Sequence, residues 1–315
     1  MTRQFLLVLW AGLFACTTCL AQNQQPLRFD FDPAHQRPVV LTAPDLKVEV
    51  LAQPPDPTTG QTRSIKIKTR EGAFIIPLPV DFAQVNEITL GPSGRLVVVG
   101  NLAGSVNEVG IVDLTGRKVI DHFSCYQPAV SPNGYYVVFT KWFPPHYPQS
   151  VDYHSMLYLV GRSPSENRPA GIEVDNGIDV GFAVNPPGVA NWTDDNMDVP
   201  SDMAHINPGY YLWVGSTQYF FIDKTQSGVS VAQVMVSNSA ATVREIKLPS
   251  DFLGAAKGYF LPSLLNAAVD GDTLSLNIFM GKAQPASLKL SDFVTIGSVD
   301  LSQRPAGGGR RAGSH

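Results

Sequence analysis

Aromatic and hydrogen-bonding side chains are concentrated in two irregular segments of the sequence, residues 142–154 and 185–202. Aromatic rings beside hydrogen-bonding groups suit a sugar, a peptide or another small polar ligand. We interpret the two segments as one binding surface and assign no catalytic residue. The candidate binding residues are Trp142, His146, Tyr147, Asp152, Tyr153, His154, Trp192, Asp194 and Asp195.

Metal binding by the same residues is an alternative. His146, Asp152 and His154 are residue types that bind zinc, and a catalytic zinc usually has three protein ligands and one open position. Residues 194–198 follow the D-x-N-x-D spacing of a calcium loop, but the Gly and the bidentate Glu that complete such a loop are missing. Because neither pattern is complete, we predict no metal and no cofactor.

The second functional hypothesis is an enzyme, namely a secreted hydrolase or lyase that acts on glycans or peptides. In that case His146, Asp152 and His154 would serve as acid, base or metal ligands. The sequence has no Gly-x-Ser-x-Gly nucleophile elbow, since Gly91-Pro-Ser-Gly94 lies between two predicted strands. The first hypothesis therefore remains a non-enzymatic binding protein.

Two matching segments about 40 residues apart indicate the elements that position the irregular segments. Residues 88–99 and 129–139 each have the pattern of strand, tight turn and strand. The turns are Gly91-Pro-Ser-Gly94 and Ser131-Pro-Asn-Gly134, in which Pro fixes φ and Gly relieves crowding. Residues 87–123 contain four short strands, and a repeat of this kind predicts a β-propeller with one blade per repeat.

The turn Ser131-Pro-Asn-Gly134, followed by Tyr135, Tyr136 and an apolar run, resembles the Ser-Pro-Asp-Gly signature of the WD40-like repeats in TolB-type β-propellers. Asn133 stands where that signature has Asp. The resemblance covers residues 85–165. It implies a propeller that serves as a binding platform in an exported bacterial protein, and it implies no catalytic residue.

At about 40 residues per blade, residues 46–302 would form a propeller domain of about six four-stranded blades, within a range of about five to seven. The alternative all-β fold is a pair of β-sandwiches, which does not explain the repeat. In the propeller, segment 142–154 joins the second and third strands of its blade, and segment 185–202 joins two blades. Both kinds of connection emerge on the same face, so we predict that this face binds the ligand.

Residues 1–21 have the pattern of a secretory signal peptide, with Arg3, an apolar run over residues 5–15 and small residues up to Ala21. The apolar run is shorter than the roughly 20 residues that span a bilayer. Phe14 stands where a lipoprotein signal needs a small residue. We therefore predict cleavage after Ala21, a periplasmic or extracellular location, and no membrane span after cleavage.

Charge and cysteine content limit the partners and the compartment. All 27 Asp and Glu residues lie within residues 22–302, whereas three of the 23 Lys and Arg residues lie in the tail, residues 303–315. An acidic body argues against nucleic acid as a partner and leaves a protein or a small polar ligand. Cleavage leaves Cys125 as the sole thiol, which we expect to be buried. We interpret residues 22–45 as an extended leader and the tail as disordered.

Overall fold

The computed structural model describes residues 39–43, 46–53, 56–59, 61–79, 82, 84–103, 106–143, 152–167, 177–184, 211–225, 228–249, 263–279 and 283–302. Most of these residues lie in β-strands. The strands are β1 (Val39–Ala43), β2 (Leu46–Ala52), β3 (Ser64–Thr69), β4 (Gly72–Pro77), β5 (Gln84–Leu90), β6 (Arg95–Ala103), β7 (Val106–Asp113), β8 (Lys118–Val130), β9 (Tyr136–Phe143), β10 (Asp152–Leu159), β11 (Ile178–Val184), β12 (Leu212–Trp213), β13 (Gln218–Thr225), β14 (Gly228–Val236), β15 (Ala240–Lys247), β16 (Ser263–Asp270), β17 (Thr273–Phe279), β18 (Ala283–Lys289) and β19 (Val294–Asp300).

The described strands form four sheets in which the neighbours are antiparallel. One sheet has the order β1-β2-β3-β4, and a second runs in chain order from β5 to β11. The third has the order β12-β13-β14-β15-β19, and the fourth contains β16, β17 and β18. The four strands predicted over residues 87–123 are β5, β6, β7 and the first part of β8, in the expected order.

Alternation of side chains accounts for the first sheet. In β2, Val48 and Val50 are buried while Lys47 is exposed, because successive side chains point to opposite faces of a strand. β1 pairs with β2 along its whole length. The sheet therefore begins at Val39, within the predicted leader of residues 22–45, and not at Leu46.

Strand β8 belongs to two layers of the protein. Its residues 118–126 pair with β7, and its last residues, Ala129 and Val130, pair with β9. Between these parts the register shifts, and Gln127 has a φ of 49°. Such a φ is uncommon for a residue other than Gly and accompanies a bend of the strand. We expected two separate blades here, but one bent strand links them.

The sheets stack face to face in chain order as five successive layers, with an apolar core between each consecutive pair. The layers are β1–β4, β5 to the start of β8, the end of β8 to β11, β12–β15 with β19, and β16–β18. In β6, Leu96 and Val98 face the first layer, whereas Val97 and Val99 face the third. A layer between two others thus buries both of its faces.

The first strands of consecutive layers lie side by side. β1 contacts β5, and β12 contacts both β8 and β16. Trp213 Nε1, in β12, donates a hydrogen bond to the Ala129 carbonyl of β8 at 3.0 Å. Sheets stacked in chain order with their first strands adjacent are the blades of a β-propeller, so the protein has an all-β propeller fold and not a pair of sandwiches. The total of about six blades stays a prediction.

The two repeated turns pack against each other at one edge of the second and third layers. Gly134 has a φ of 68°, and a Cβ atom placed on it would lie 2.5 Å from the Leu90 carbonyl oxygen. A Cβ atom on Gly91 would lie 2.6 Å from the Gly134 oxygen. Beside them, the Arg95 guanidinium donates hydrogen bonds to the carbonyls of Val160 and Arg162. Equivalent turns of the repeat therefore share one face of the protein.

The side chain of Asn133 closes the second repeated turn. Its side-chain Oδ1 accepts hydrogen bonds from the Ser131 hydroxyl at 2.7 Å and from the Tyr135 N–H at 3.1 Å. The Ser131 hydroxyl in turn accepts a hydrogen bond from the Tyr136 N–H at 3.0 Å. Because the oxygen of the amide is the atom that these bonds use, Asn closes the turn as a carboxylate would.

Candidate functional site

Part of the predicted binding surface lies in regular strands. Trp142 is in β9, and Asp152, Tyr153 and His154 are in β10, with Tyr153 opposite Trp142. Segment 142–154, which we expected to be irregular throughout, therefore begins and ends as a hairpin. The remaining candidates lie outside the described residues; they are His146, Tyr147, Trp192, Asp194 and Asp195.

Three strand ends meet at the edge of the third layer from which both segments leave. β9 ends and β10 begins at this edge, and β11 ends there too. The register places Val184 opposite Tyr153, and Tyr153 opposite Trp142. The connection formed by residues 144–151 and the chain that follows Val184 thus start side by side, at the edge opposite to the packed glycine turns.

Four buried hydroxyl groups lie between the third and fourth layers. Two of them, in β9 and β10, are three residues from this edge. We call this group the hydroxyl cluster, and its members are Thr140, Ser155, Tyr211 and Tyr219. Thr140 and Ser155 are opposite each other in β9 and β10. Tyr211 OH and Thr140 Oγ1 are hydrogen bonded at 2.8 Å. All four side chains are buried, with Tyr211 only 2% exposed.

Aromatic rings surround the two tyrosines of the cluster. Tyr211 and Tyr219 meet edge to face, with centroids 5.8 Å apart, and Phe221 lies 5.4 Å from Tyr211. Trp213 packs 4.9 Å from Tyr219 and stacks on Tyr136 of the third layer at 6.0 Å. These contacts fix the tyrosine hydroxyls relative to β9 and β10, because aromatic side chains have few rotamers and a large contact area.

The hydroxyls of the cluster are neutral. Burial is the main cause that raises the pKa of Tyr211 and Tyr219 above the ordinary tyrosine value. A hydrogen bond with the Ser155 hydroxyl lowers the pKa of both tyrosines, but by less than burial raises it. The cluster can therefore donate and accept hydrogen bonds, but it supplies no nucleophile or base at neutral pH.

Other buried polar groups join the second and third layers. Tyr158 OH donates a hydrogen bond to Asp121 Oδ2 at 2.9 Å. Burial, followed by the Asp121 carboxylate, raises the pKa of Tyr158, so this tyrosine also stays protonated. Cys125 is buried, as predicted. Burial and the charge of Glu108 raise the pKa of the thiol well above its ordinary value, which excludes a reactive thiolate in the folded protein.

The described part of the chain contains no group of three His, Cys, Asp or Glu side chains arranged to bind a metal ion. The candidate zinc ligands His146, Asp152 and His154 have side chains outside that description, so the zinc alternative stays a hypothesis. Within the same described ranges, no helix has the length and apolar character needed to cross a membrane.

No family model matches the chain, and no curated protein matches it. Among solved structures, it is similar to Kuenenia stuttgartiensis hydrazine synthase, with 10% identity, a TM-score of 0.35, and coverage of 79% of this chain and 70% of that chain. It is similar to the β-propeller domain of the Trilobed protease from Pyrococcus furiosus, with 10% identity, a TM-score of 0.30, and coverage of 85% and 84%. A third such structure is the Dos1 propeller, with 11% identity, a TM-score of 0.33, and coverage of 80% and 54%.

The likeness to these structures is weak, and the propeller fold follows from the sheets, cores and strand contacts of this chain. The narrower resemblance to WD40-like repeats of the TolB type stays a prediction.

Sequence reasoning did not single out the hydroxyl cluster. A signal was present, since Thr140 directly follows the apolar and aromatic run of residues 135–139, and Ser155 directly precedes that of residues 156–160. A polar residue within a strand buried on both sides needs a hydrogen-bonding partner. That partner, Tyr211, is 71 residues from Thr140 in the chain, so no local pattern identifies it.

Proposed function

We propose that the protein is an exported, non-enzymatic binding or scaffolding β-propeller. Its binding face carries segments 142–154 and 185–202, and its ligand is a protein partner or a small polar molecule. The observation that supports this proposal is the meeting of β9, β10 and β11 at one edge, from which both segments leave. Two segments rich in aromatic and polar side chains at one edge make a larger contact surface than either makes alone.

The chemistry of the neighbouring groups supports binding over catalysis. The tyrosines of the hydroxyl cluster are neutral, and Cys125 is a buried thiol. Neutral hydroxyls and aromatic rings recognise a ligand through hydrogen bonds and stacking, whereas covalent catalysis needs an activated nucleophile. The signal peptide pattern of residues 1–21 supports export of the protein to the periplasm or out of the cell.

Tryptophan fluorescence tests the location of the binding face. Trp142 and Trp192 belong to the two segments, whereas Trp213 is stacked on Tyr136 within the layers. Disaccharides and short extended peptides are titrated one at a time into the processed protein. We expect at least one of these probes to change the tryptophan emission. The double substitution W142F/W192F should abolish that change, and the control W213F should keep it.

Two results would contradict the proposal. If W142F/W192F binds a responding probe with unchanged affinity, the ligand sits elsewhere on the protein. If no probe in the panel binds, the small-ligand form of the proposal fails. The protein-partner form is then tested by replacing residues 144–151 with a two-residue turn, which should release a copurifying partner while the unfolding midpoint stays unchanged.

A further inference from the structure

Three asparagine side chains from neighbouring strands meet at the margin of the second layer. We call them the amide cluster, and its members are Asn86 of β5, Asn101 of β6 and Asn107 of β7. Asn101 Oδ1 accepts a hydrogen bond from Asn86 Nδ2 at 2.6 Å and another from Asn107 Nδ2 at 2.9 Å. All three residues are half-buried and so remain in contact with solvent. The cluster is therefore a surface feature that its own hydrogen bonds hold in one geometry.

The strands bring the three amides together in two ways. Asn101 and Asn107 are opposite each other in β6 and β7, so their side chains are neighbours. Asn86 instead lies at a shift of register between β5 and β6. Such a bulge re-aims a side chain and is common beside functional sites. Here it places the amide of Asn86 against that of Asn101.

The cluster lies on the side of the second layer that faces the third. Asn101 is two residues after Val99 in β6. Asn107 is two residues before Val109 in β7. Both valines belong to the core between the second and third layers, and side chains alternate along a strand, so the two asparagines lie at the margin of that core.

This margin is part of the edge that carries the proposed binding face. β6 and β9 both begin beside the packed glycine turns and run to the opposite edge. Asn101 lies near the end of β6, and segment 142–154 begins near the end of β9. The amide cluster and this segment therefore lie at the same edge, on consecutive layers.

The hydrogen bonds within the cluster leave part of each amide available. Asn101 Nδ2 takes no part in them, and neither do the Oδ1 atoms of Asn86 and Asn107. Within the described part of the chain, these three atoms form no other hydrogen bond. A donor group thus lies beside two acceptors, and none of them is charged. Their partner needs to donate and accept hydrogen bonds from one direction.

A pair of neighbouring sugar hydroxyls meets this requirement. Each hydroxyl both donates and accepts hydrogen bonds, and two neighbouring hydroxyls of a sugar ring can face the same side. A peptide unit does not meet it, because the planar trans geometry directs the N–H and the C=O to opposite sides. The chemistry of the cluster therefore favours a sugar over an extended peptide backbone.

We propose that the amide cluster is a subsite for a sugar. In this subsite Asn101 Nδ2 donates a hydrogen bond to one ring hydroxyl, and the amide oxygen of Asn86 or Asn107 accepts one from the neighbouring hydroxyl. The inference rests on the proposed function, since it names the ligand class of the same binding face. It also extends that face from the third layer to the second.

Nuclear magnetic resonance of the processed protein tests the subsite directly. Cellobiose, maltose and lactose are titrated one at a time, and we expect at least one of them to shift the side-chain NH2 signals of Asn101. N101D keeps an oxygen for the two neighbouring amides but removes the donor. It should weaken the affinity for that disaccharide about two- to tenfold, the range for one lost hydrogen bond. N107A, which removes an acceptor, should weaken the affinity to a similar extent.

N277D is the matched control for N101D. Asn277 is opposite Asn266 in the fifth layer, so the same chemical change is made to a half-buried amide of another layer. The affinity for the disaccharide should stay unchanged in N277D, and an equal loss there would contradict a specific role of Asn101. The urea unfolding midpoint of each variant shows whether the substitution also affects the fold.

Three further results would overturn the inference. If none of the three disaccharides shifts the Asn101 signals, the sugar class is wrong, whereas the protein-partner form of the proposed function still stands. If a disaccharide loses its binding in W142F/W192F but binds N101D and N107A with unchanged affinity, the binding face stands without this subsite. If the unfolding midpoints of N101D and N107A fall while the affinity stays unchanged, the cluster has only a structural role.

Discussion

Substitution of Gly134 by Ala tests whether the repeated turns pack as tightly as the structure indicates. Gly134 has a φ of 68°, in the left-handed region that L residues avoid. The added Cβ would lie 2.5 Å from the Leu90 oxygen and 2.7 Å from the Gly91 Cα. Both contacts are with backbone atoms, which cannot rotate away as the end of a side chain can. The substitution therefore combines backbone strain with a steric clash.

The expected loss of stability is the sum of two effects. The left-handed conformation costs an Ala residue about 1–2 kcal/mol. Overpacking typically costs a further 1–3 kcal/mol or so, where the surroundings yield in part. We therefore expect G134A to lower the free energy of unfolding by roughly 2–5 kcal/mol, a large part of the approximately 5–15 kcal/mol of a typical domain.

Substitutions at two other glycines measure the backbone strain and the steric clash separately. Gly215 has a φ of 66° but no atom within 4 Å of its added Cβ, so G215A should cost only the backbone strain of about 1–2 kcal/mol. Gly91 has an ordinary φ of −101°, and its added Cβ would lie 2.6 Å from the Gly134 oxygen. G91A should therefore cost only the clash, about 1–3 kcal/mol. Urea unfolding measures all three free energies under the same conditions.

The comparison also makes a claim about coupling. Because Gly91 and Gly134 touch, the double substitution G91A/G134A should cost less than the two single losses added together, since one separation of the turns relieves both clashes. The reasoning fails if G134A and G215A differ by less than about 0.5 kcal/mol, which is within the scatter of independent surface substitutions.

The remaining predictions concern export and acid stability. N-terminal sequencing of the secreted protein should begin at Gln22, and an N-terminus at Met1 in the exported fraction would contradict signal cleavage. Hydrogen bonds from the hydroxyl and N–H of Ser291 lower the pKa of Asp272 below its ordinary 3.8. A carboxyl whose pKa is lower in the folded state stabilises the protein above the unfolded pKa and loses that contribution as the pH falls through the folded pKa. The stability difference between the natural protein and S291A should thus be present at about pH 6 and shrink by about pH 2.5, whereas a constant difference would contradict this role of Asp272.

Local patterns predicted the strands well where the repeat is clear. β5, β6 and β7 follow from alternation and from the Gly-Pro-Ser-Gly turn, because both signals lie within a few neighbouring residues. The bend of β8 could not be predicted, since Gln127 adopts a positive φ that its residue type does not favour. β19 was not predicted either, because it pairs with β15, and strands β16 to β18 separate the two in the sequence.

The sequence predicts one part of the candidate site and not the other. The repeat predicts that segments 142–154 and 185–202 emerge on the same face, but it does not predict β11, the strand from which the second segment leaves. The hydroxyl cluster does not, since it forms only when Tyr211 and Tyr219 of the fourth layer meet Thr140 and Ser155 of the third. Contacts between layers depend on how the sheets stack, and no short stretch of sequence records that stacking.

The stacking itself limits where a ligand can bind on the third layer. One face of this layer is buried against the second layer and the other against the fourth, as Val137 and Val138 of β9 show by packing into different cores. Only the two edges remain. At one of them the Gly91 and Gly134 turns pack against each other, with no room for a Cβ atom on either glycine. We therefore place the proposed binding face at the other edge, from which segments 142–154 and 185–202 leave.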